Sequence, residues 1–486
     1  MANTTGGTGL GDRNSSVVAS APTPSGSLRI VDIGSILGDA PLRGLPILVL
    51  ALSFIVIMLD GYDLICLSFV APQLAKIFDI PVSSFGPVFT AGYVGIMVGG
   101  VLIGPLADRF GRKSVLIFSV ALFGTFSLLP IVDLSYGHLI AYRFITGLGL
   151  GGAMPGAVAL TTEYAPRRLR GLFVNLMFVG VACGGVVGGS LASRLVPAYG
   201  WTMVFWMGGL TPLLVTPVLA WLMPESVSFL SIKQRRPEYV VKILNRFVGV
   251  EMYSTADTTV VAESGKGVKG GFVAIFTEGR APGTLLIWLT SFSVLLTYGL
   301  LSSWLPAFMT MQGMTTQTAI LGPVVLNLGG IAGTVILGLL FTRFGASPLI
   351  AGALAFTALS LVLLGQTIGF DKFALLSAFA TGLFLLGSVN STNTLMSAFY
   401  PTKIRATGVG WALGVGRIGG AVGPAGGGIL LSAHFAPSMI CQIVAMVAGV
   451  GLCAVAMVGV LYPVYRRPLR RAAAAEAPTS ALAHSA

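Results

Sequence analysis

The sequence predicts an all-α membrane protein of twelve transmembrane helices arranged as two six-helix bundles. Three observations predict it. Twelve apolar runs follow one another along the chain. Charged residues make up only 9% of it and hydrophobic residues 55%, whereas a soluble domain carries about 25% charged residues. So few charges cannot build a water-exposed surface, so lipid must be the solvent for most of the chain. The third observation is a likeness between the first and second halves.

The apolar runs fall at roughly 46–72, 86–106, 114–132, 138–162, 171–194, 202–223, 284–308, 318–341, 347–367, 373–397, 405–432 and 438–462. At about 1.5 Å per residue each can cross a hydrocarbon core of about 30 Å. The chain therefore divides into a tail (1–43), a first bundle (44–223), a polar central loop (224–283), a second bundle (284–463) and a closing tail (464–486). The first tail is rich in Gly, Ser and Thr and lacks the basic-then-apolar pattern of a signal peptide, so it reads as disordered. Within it, 28–33 is a candidate for a small interfacial element. The central loop carries Lys233, Arg235, Arg236, Lys242 and Arg246 among apolar residues, a pattern for short amphipathic helices on the membrane surface.

Charge sets the orientation. The net charge is +12, which in a soluble protein would suggest nucleic acid. Here the positive charge sits in short loops, and no basic face of a folded module exists, so nucleic-acid binding is excluded. Of the 29 Lys and Arg residues, Lys76, Arg194 and Lys372 alone fall in one set of loops, and Arg143 and Arg417 lie inside spans. The rest lie in the tails and the other loops, which places both termini in the cytoplasm under the positive-inside rule. The four cysteines (Cys66, Cys183, Cys441, Cys453) all fall in apolar runs and read as small buried hydrophobes. The three histidines are scattered, and no metal-ligand spacing is present.

The halves repeat. The turn after span 4 reads Tyr164-Ala165-Pro166-Arg167, and the turn after span 10 reads Tyr400-Pro401-Thr402-Lys403. Spans 2 and 8 are both glycine-rich, and both lead into Arg-Phe-Gly, at 109–111 and 343–345. An internal repeat of six spans implies a carrier with its site between the halves near the midplane. Glycine, at 65 residues, includes Gly180, Gly184 and Gly188 at four-residue spacing, which implies close helix packing and surfaces that can slide.

Charges inside a bilayer cost about 2.5–3.5 kcal/mol or more each, so they face a cavity and serve function. Span 1 carries Asp60 and Asp63, whose three-residue spacing puts both on one helix side. Span 4 carries Arg143 and ends near Glu163; span 11 carries Arg417. Asp63 lies about 25 Å into span 1 and Arg143 about 30 Å from the cytoplasmic end of span 4, so the two share a level and can pair. Glu163, about 30 Å from Arg143 along the same helix, belongs by position to a cytoplasmic gate. A proton-coupled carrier needs a carboxylate that gains and loses a proton as access alternates. Asp60 or Asp63 is expected to fill that role, with a static ion pair as the alternative. Arg417 lies near the midplane with no acidic residue inside any span of its own half. It suits an anionic substrate, since Arg binds carboxylates bidentately; the alternatives are helix carbonyls or a cross-half pair with Asp60. Tyr298, Trp304 and Phe308 in span 7, Phe384, Asn390, Asn393 and Thr394 in span 10, and Trp411 in span 11 are candidates to stack on a ring and bond its substituents.

At these residues the chain resembles the major facilitator superfamily. Gly104-Pro105-Leu106-Ala107-Asp108-Arg109-Phe110-Gly111-Arg112-Lys113 matches the loop 2–3 signature of that superfamily. The resemblance implies a gating role for Gly104, Asp108, Arg109, Gly111 and Arg112, and for Arg405 in the second half. The second-half copy has Thr342 in place of the Asp and Ala346 in place of the last Arg, which leaves the latch to the first copy. Arg143 to Gly151 matches the span 4 signature associated with proton coupling, and Pro224-Glu225-Ser226 with Phe229-Leu230 matches an end-of-span-6 motif of sugar and organic-acid porters. Span 5 lacks the Gly-Pro antiporter motif, which favours symport.

Within the superfamily the chain is similar to the aromatic acid:proton symporters. The shared motifs are Asp60-Gly61-Tyr62-Asp63, the run 147–155 followed by Glu163-Tyr164, and 405–411 with Gly416-Arg417. The resemblance implies proton coupling through Asp60, Asp63, Arg143 and Glu163, and transport roles for Arg405 and Arg417. It also implies a benzoate, hydroxybenzoate, protocatechuate or related acid as substrate, in a bacterial inner membrane. Nicotinate and muconate carriers look similar, and a sugar carrier or a transporter-like chemoreceptor is a further alternative. A monomer embedded in lipid is expected, with the proton as coupling ion, no cofactor and no enzymatic activity; no phosphate-binding loop is present.

Overall fold

The computed structural model describes residues 29–32, 44–233, 238, 258–261 and 271–466. Among the described residues there are twelve long helices: α1 (Gly44–Ile77), α2 (Gly86–Leu102), α3 (Arg112–Val132), α4 (Tyr136–Tyr164), α5 (Arg170–Tyr199), α6 (Thr202–Leu222), α7 (Ala281–Met311), α8 (Thr316–Phe344), α9 (Ala346–Thr367), α10 (Asp371–Phe399), α11 (Arg405–Ser432) and α12 (Pro437–Leu461). Eleven are long and apolar enough to cross a membrane. The exception is α11, 28 residues long, in which glycines and Arg417 dilute the apolar content.

The two halves repeat the same packing. In the first, α2 and α3 pack on α4, α1 on α5, and α3 on α6; in the second, α8 and α9 pack on α10, α7 on α11, and α9 on α12. The halves meet along α5 with α8, α2 with α11 and α1 with α7. These contacts gather at the end of the bundle opposite the chain termini. There Phe89 meets Trp304 edge-on at 5.2 Å between ring centroids, and a Cβ at Gly86 would lie 3.3 Å from Gly428. Further along the same pair of helices Gly100 faces Arg417. Beyond that level a Cβ at Gly410 or Gly414, on the same side of α11, would meet nothing within 4 Å. The halves therefore part toward the end that bears the termini.

Close approach rests on glycine. A Cβ at Gly184 would overlap the Met58 carbonyl, and Gly180 and Gly188 also lie on α1, so the four-residue glycine spacing forms the seat of α1 on α5.

Three details differ from the sequence expectations. The first helix runs past Pro72 to Ile77, because Leu74 and Ala75 are buried in the core and hold the chain helical beyond the bond that Pro removes. The second ends at Leu102 rather than continuing to 106, because Pro105 has no N–H to carry the ladder on; a separate turn, Leu106–Phe110, follows. Residues Arg29–Asp32 form a strand, β1, parallel to β2 (Thr258–Val261) of the central loop. In that loop Val227–Ile232 is helical, whereas Arg235, Arg236, Lys242 and Arg246 lie outside the described residues.

Candidate functional site

The motif at 60–63 fans its residues around α1 by about 100° each, which points Gly61 and Tyr62 away from Asp60 and Asp63 and leaves the two aspartates about 60° apart. Gly61 presses on α5, where a Cβ would overlap the Val181 carbonyl. The Tyr62 hydroxyl donates to the Val204 carbonyl of α6 at 2.9 Å. These two contacts fix the rotation of α1, which turns Asp63 toward α4 and Asp60 toward the other half.

Asp63 is fully engaged. Arg143 Nη1 donates to its Oδ2 at 3.2 Å and its Oδ1 at 3.3 Å, and Nη2 donates to its backbone carbonyl at 2.7 Å. Ser127 of α3 donates to Oδ1 at 2.8 Å, and Cys66 donates to the Asp63 carbonyl at 3.3 Å. Asp63 is 1% exposed and Arg143 7%. A buried ion pair is tolerated when its geometry is good and further hydrogen bonds satisfy its remaining atoms. The pairing expected from depth along the two helices is present.

Asp60 differs. It is 3% exposed, and its Oδ2 has no hydrogen-bond partner. The charges acting on it are those of Asp63 and, from across the interface, Arg417. Arg417 reaches into the first half, where its Nη2 donates to Met154 Sδ at 3.3 Å. Thioether sulfur is a weak acceptor, so most of the five guanidinium donors are uncommitted. Among the described residues Arg417 makes no ion pair with Asp60; the two act on each other as charges across the interface.

A small cavity lies beside these charges, lined by Asp63, Phe89, Tyr93, Ile96, Arg143 and Leu150 among others. Tyr93 joins the halves here, its hydroxyl 3.2 Å from Ser302 Oγ of α7. Tyr298 lies near enough to feel both Tyr93 and Asp60, so of the predicted ring-stacking residues it is the one at the charges.

The other candidates lie elsewhere. Trp304 is fully buried and donates to the Pro424 carbonyl at 2.9 Å, and Phe308 is fully buried too; both are packing at the closed end. Phe384 stacks on Phe356 of α9, centroids 4.9 Å apart. That helix packs on its own half, so Phe384 points away from the interface. Asn390 donates to Thr334 at 2.8 Å, which ties α10 to α8, and Asn393 is half-buried with its carbonyl bonded to Ser397. Trp411 lies at the terminus-bearing end against Phe272, 4.7 Å between centroids. The cause is shared: position along a span gives a side chain's depth and does not say against which helix it lies.

Glu163 belongs to a second network, at the terminus-bearing end, and not to the Asp63–Arg143 pair. It accepts from Arg112 Nη1 at 2.8 Å, Ser226 Oγ at 2.7 Å and Ser228 N at 2.7 Å. Glu225 accepts from Lys113 N at 3.0 Å and Ser226 N at 2.9 Å. The two carboxylates thus cap the N-termini of α3 and of Val227–Ile232, where exposed N–H groups and the helix dipole favour negative charge. Gly111 permits this: its φ is +103°, and a Cβ there would strike the Glu225 carboxylate. Gly104 forms the turn before Pro105. Asp108 and Arg109 are exposed; Arg109 lies over the neighbouring Phe110 ring at 5.4 Å, and Asp108 makes no hydrogen bond or ion pair among the described residues. Among the described residues Arg405 bonds locally, to the Tyr400 carbonyl at 3.3 Å and Thr402 at 3.5 Å. Among the described residues no cluster could hold a metal ion.

Tyr93, Ser302, Ser127 and Met154 were not legible beforehand. Each is a single neutral side chain in an apolar run, without spacing to mark it.

Two helical halves in contact at one end, parted at the other and carrying buried charges between them define a carrier, not an enzyme. The Major Facilitator Superfamily profile matches residues 53–373. The chain is 34% identical to the 4-hydroxybenzoate transporter PcaK of Acinetobacter baylyi, over 87% of this chain and 93% of that protein. It is 34% identical to a gallate transporter of Pseudomonas putida, over 83% of this chain and 89% of that one. Its fold is similar to that of the xylose transporter XylE from Escherichia coli in a partially occluded inward-open conformation. The TM-score there is 0.67 at 18% identity, covering 86% of this chain and 98% of that one. The chain belongs to the major facilitator superfamily, and the Acinetobacter and Pseudomonas relatives are named as aromatic acid transporters.

Proposed function

We propose that this protein is a proton-coupled symporter that imports an aromatic carboxylate across a bacterial inner membrane by alternating access, with both termini cytoplasmic. The observation that carries the reading is Arg417, a largely uncommitted guanidinium between the halves, in a chain whose relatives carry 4-hydroxybenzoate and gallate by name. A substrate carboxylate would take the guanidinium donors bidentately. Its ring would rest among Phe89, Tyr93 and Tyr298, with Ser302 to bond a ring hydroxyl. The positive-inside bias supports a cytoplasmic terminus-bearing end, and a site open toward that end would release substrate into the cytoplasm. The proton is carried by one of the span 1 carboxylates, Asp60 or Asp63, and Gly104, Asp108, Arg109 and Gly111 act when that end closes.

Uptake of radiolabelled 4-hydroxybenzoate into proteoliposomes tests the reading. An imposed inward proton gradient should drive accumulation, unlabelled benzoates should compete, and Arg417→Gln should abolish uptake. Competition by neutral sugars instead would overturn the substrate class. Uptake that ignores the proton gradient would overturn the coupling.

A further inference from the structure

We propose that Arg417 serves either Asp60 or the substrate carboxylate but not both, and that Asp60, once displaced, takes the coupling proton. This rests on the symporter reading and divides labour between two aspartates three residues apart.

The argument begins with what each carboxylate lacks. Asp63 has Arg143, Ser127 and Cys66 as partners, all within its own half. Asp60 is equally buried, yet Oδ2 is bare. The groups that face it are Asp63 on α1, Arg417 on α11, and the phenols of Tyr93 on α2 and Tyr298 on α7. Arg143 is committed to Asp63, which leaves Arg417, among the described residues, as the cation acting on Asp60. In turn Asp60 is the carboxylate that acts on Arg417.

Charge counting then sets the cycle. The empty site holds one cation and one anion. An arriving carboxylate would leave a net negative charge in a low-dielectric interior, which is costly. One proton on Asp60 converts it to a neutral acid and restores the balance, with the substrate on Arg417. When the substrate leaves, Arg417 is again free for Asp60, which releases the proton on the same side. A substrate without a proton, or a proton without a substrate, leaves the site unbalanced and is not carried. The stoichiometry is one proton per monovalent carboxylate, and the step is electroneutral.

The test measures the affinity of the purified full-length protein for 4-hydroxybenzoate as a function of pH. Wild-type affinity should weaken about tenfold per pH unit once Asp60 is ionised in the empty protein, as required when one proton is taken up per ligand. In Asp60→Asn the affinity should be flat with pH, because the side chain is always neutral. A slope in Asp60→Asn equal to wild type would overturn the inference while leaving the symporter reading intact. If Asp60→Asn does not fold, Asp60→Glu decides: a displaced midpoint supports Asp60 as the titrating group, and an unmoved one overturns it. Failure of the folded wild type to bind any aromatic carboxylate would overturn the substrate reading, and this inference with it.

Discussion

The charge network at the terminus-bearing end and the charges at mid-bundle are built on opposite plans. Glu163, Arg112 and Lys113 of the first half join Glu225 and Ser226 at the start of the central loop that continues it, with no described residue of the second half, and each carboxylate bond is closed at 2.7–3.0 Å. Asp60 and Arg417 belong to different halves, and neither completes its bonds. Contacts inside a half can be finished because they hold through the transport cycle. Contacts across the interface have to be remade each time the halves rock, so groups there are left short of partners. Asp63–Arg143, inside the first half, is finished like the first network although it sits at the depth of the second.

That contrast can be broken by substitution. The largest effect is expected for Arg143→Met, which strands Asp63 as a buried unpaired charge; removing one partner of such a pair costs about 3–5 kcal/mol. Thermal unfolding in detergent should show a large fall, together with loss of 4-hydroxybenzoate uptake. Arg417→Met should abolish uptake with a much smaller fall in stability. Equal destabilisation by the two would show that the cross-half charges are as structural as those within a half. Glu225→Ala should cost about 1–2 kcal/mol through loss of the α3 cap, read in the same unfolding assay, with uptake reduced rather than abolished. Ser127→Ala should cost about 1 kcal/mol by removing one hydrogen bond to Asp63. Smallest of all, Phe384→Ala should leave the affinity for 4-hydroxybenzoate within about twofold, because its ring lies against α9.

The architecture was legible because lipid imposes it. Twelve runs of adequate length, divided by a polar loop, leave few arrangements, and the helix ends lie within a few residues of the expected ones. The charged part of the site was legible for a related reason: in an apolar span each Asp or Arg stands out, and depth along a helix gives its level. Pro72 and Pro105 show where such reasoning stops, since one proline is absorbed within a buried helix and the other ends one. Rotation was the larger gap. Asp60 and Asp63 differ by only about 60° around α1, yet one reaches α4 and the other faces α11. What decides is Gly61 against Val181 and Tyr62 against Val204, contacts between helices distant in sequence. Tyr93, a lone phenol in a glycine-rich span, carried no such mark at all.

The glycine content that lets α11 lie flush against α2 and α7 also bears on how the protein is made. A segment must partition from the translocation channel into lipid, and the low apolar content of α11 makes that step unfavourable for it alone. The helix it packs on, α7, precedes it by four segments. On its own α11 should enter the membrane poorly in a glycosylation-mapping reporter, and more fully when α7 is present upstream. The chain order thus supplies a docking surface before the segment that needs it emerges from the ribosome.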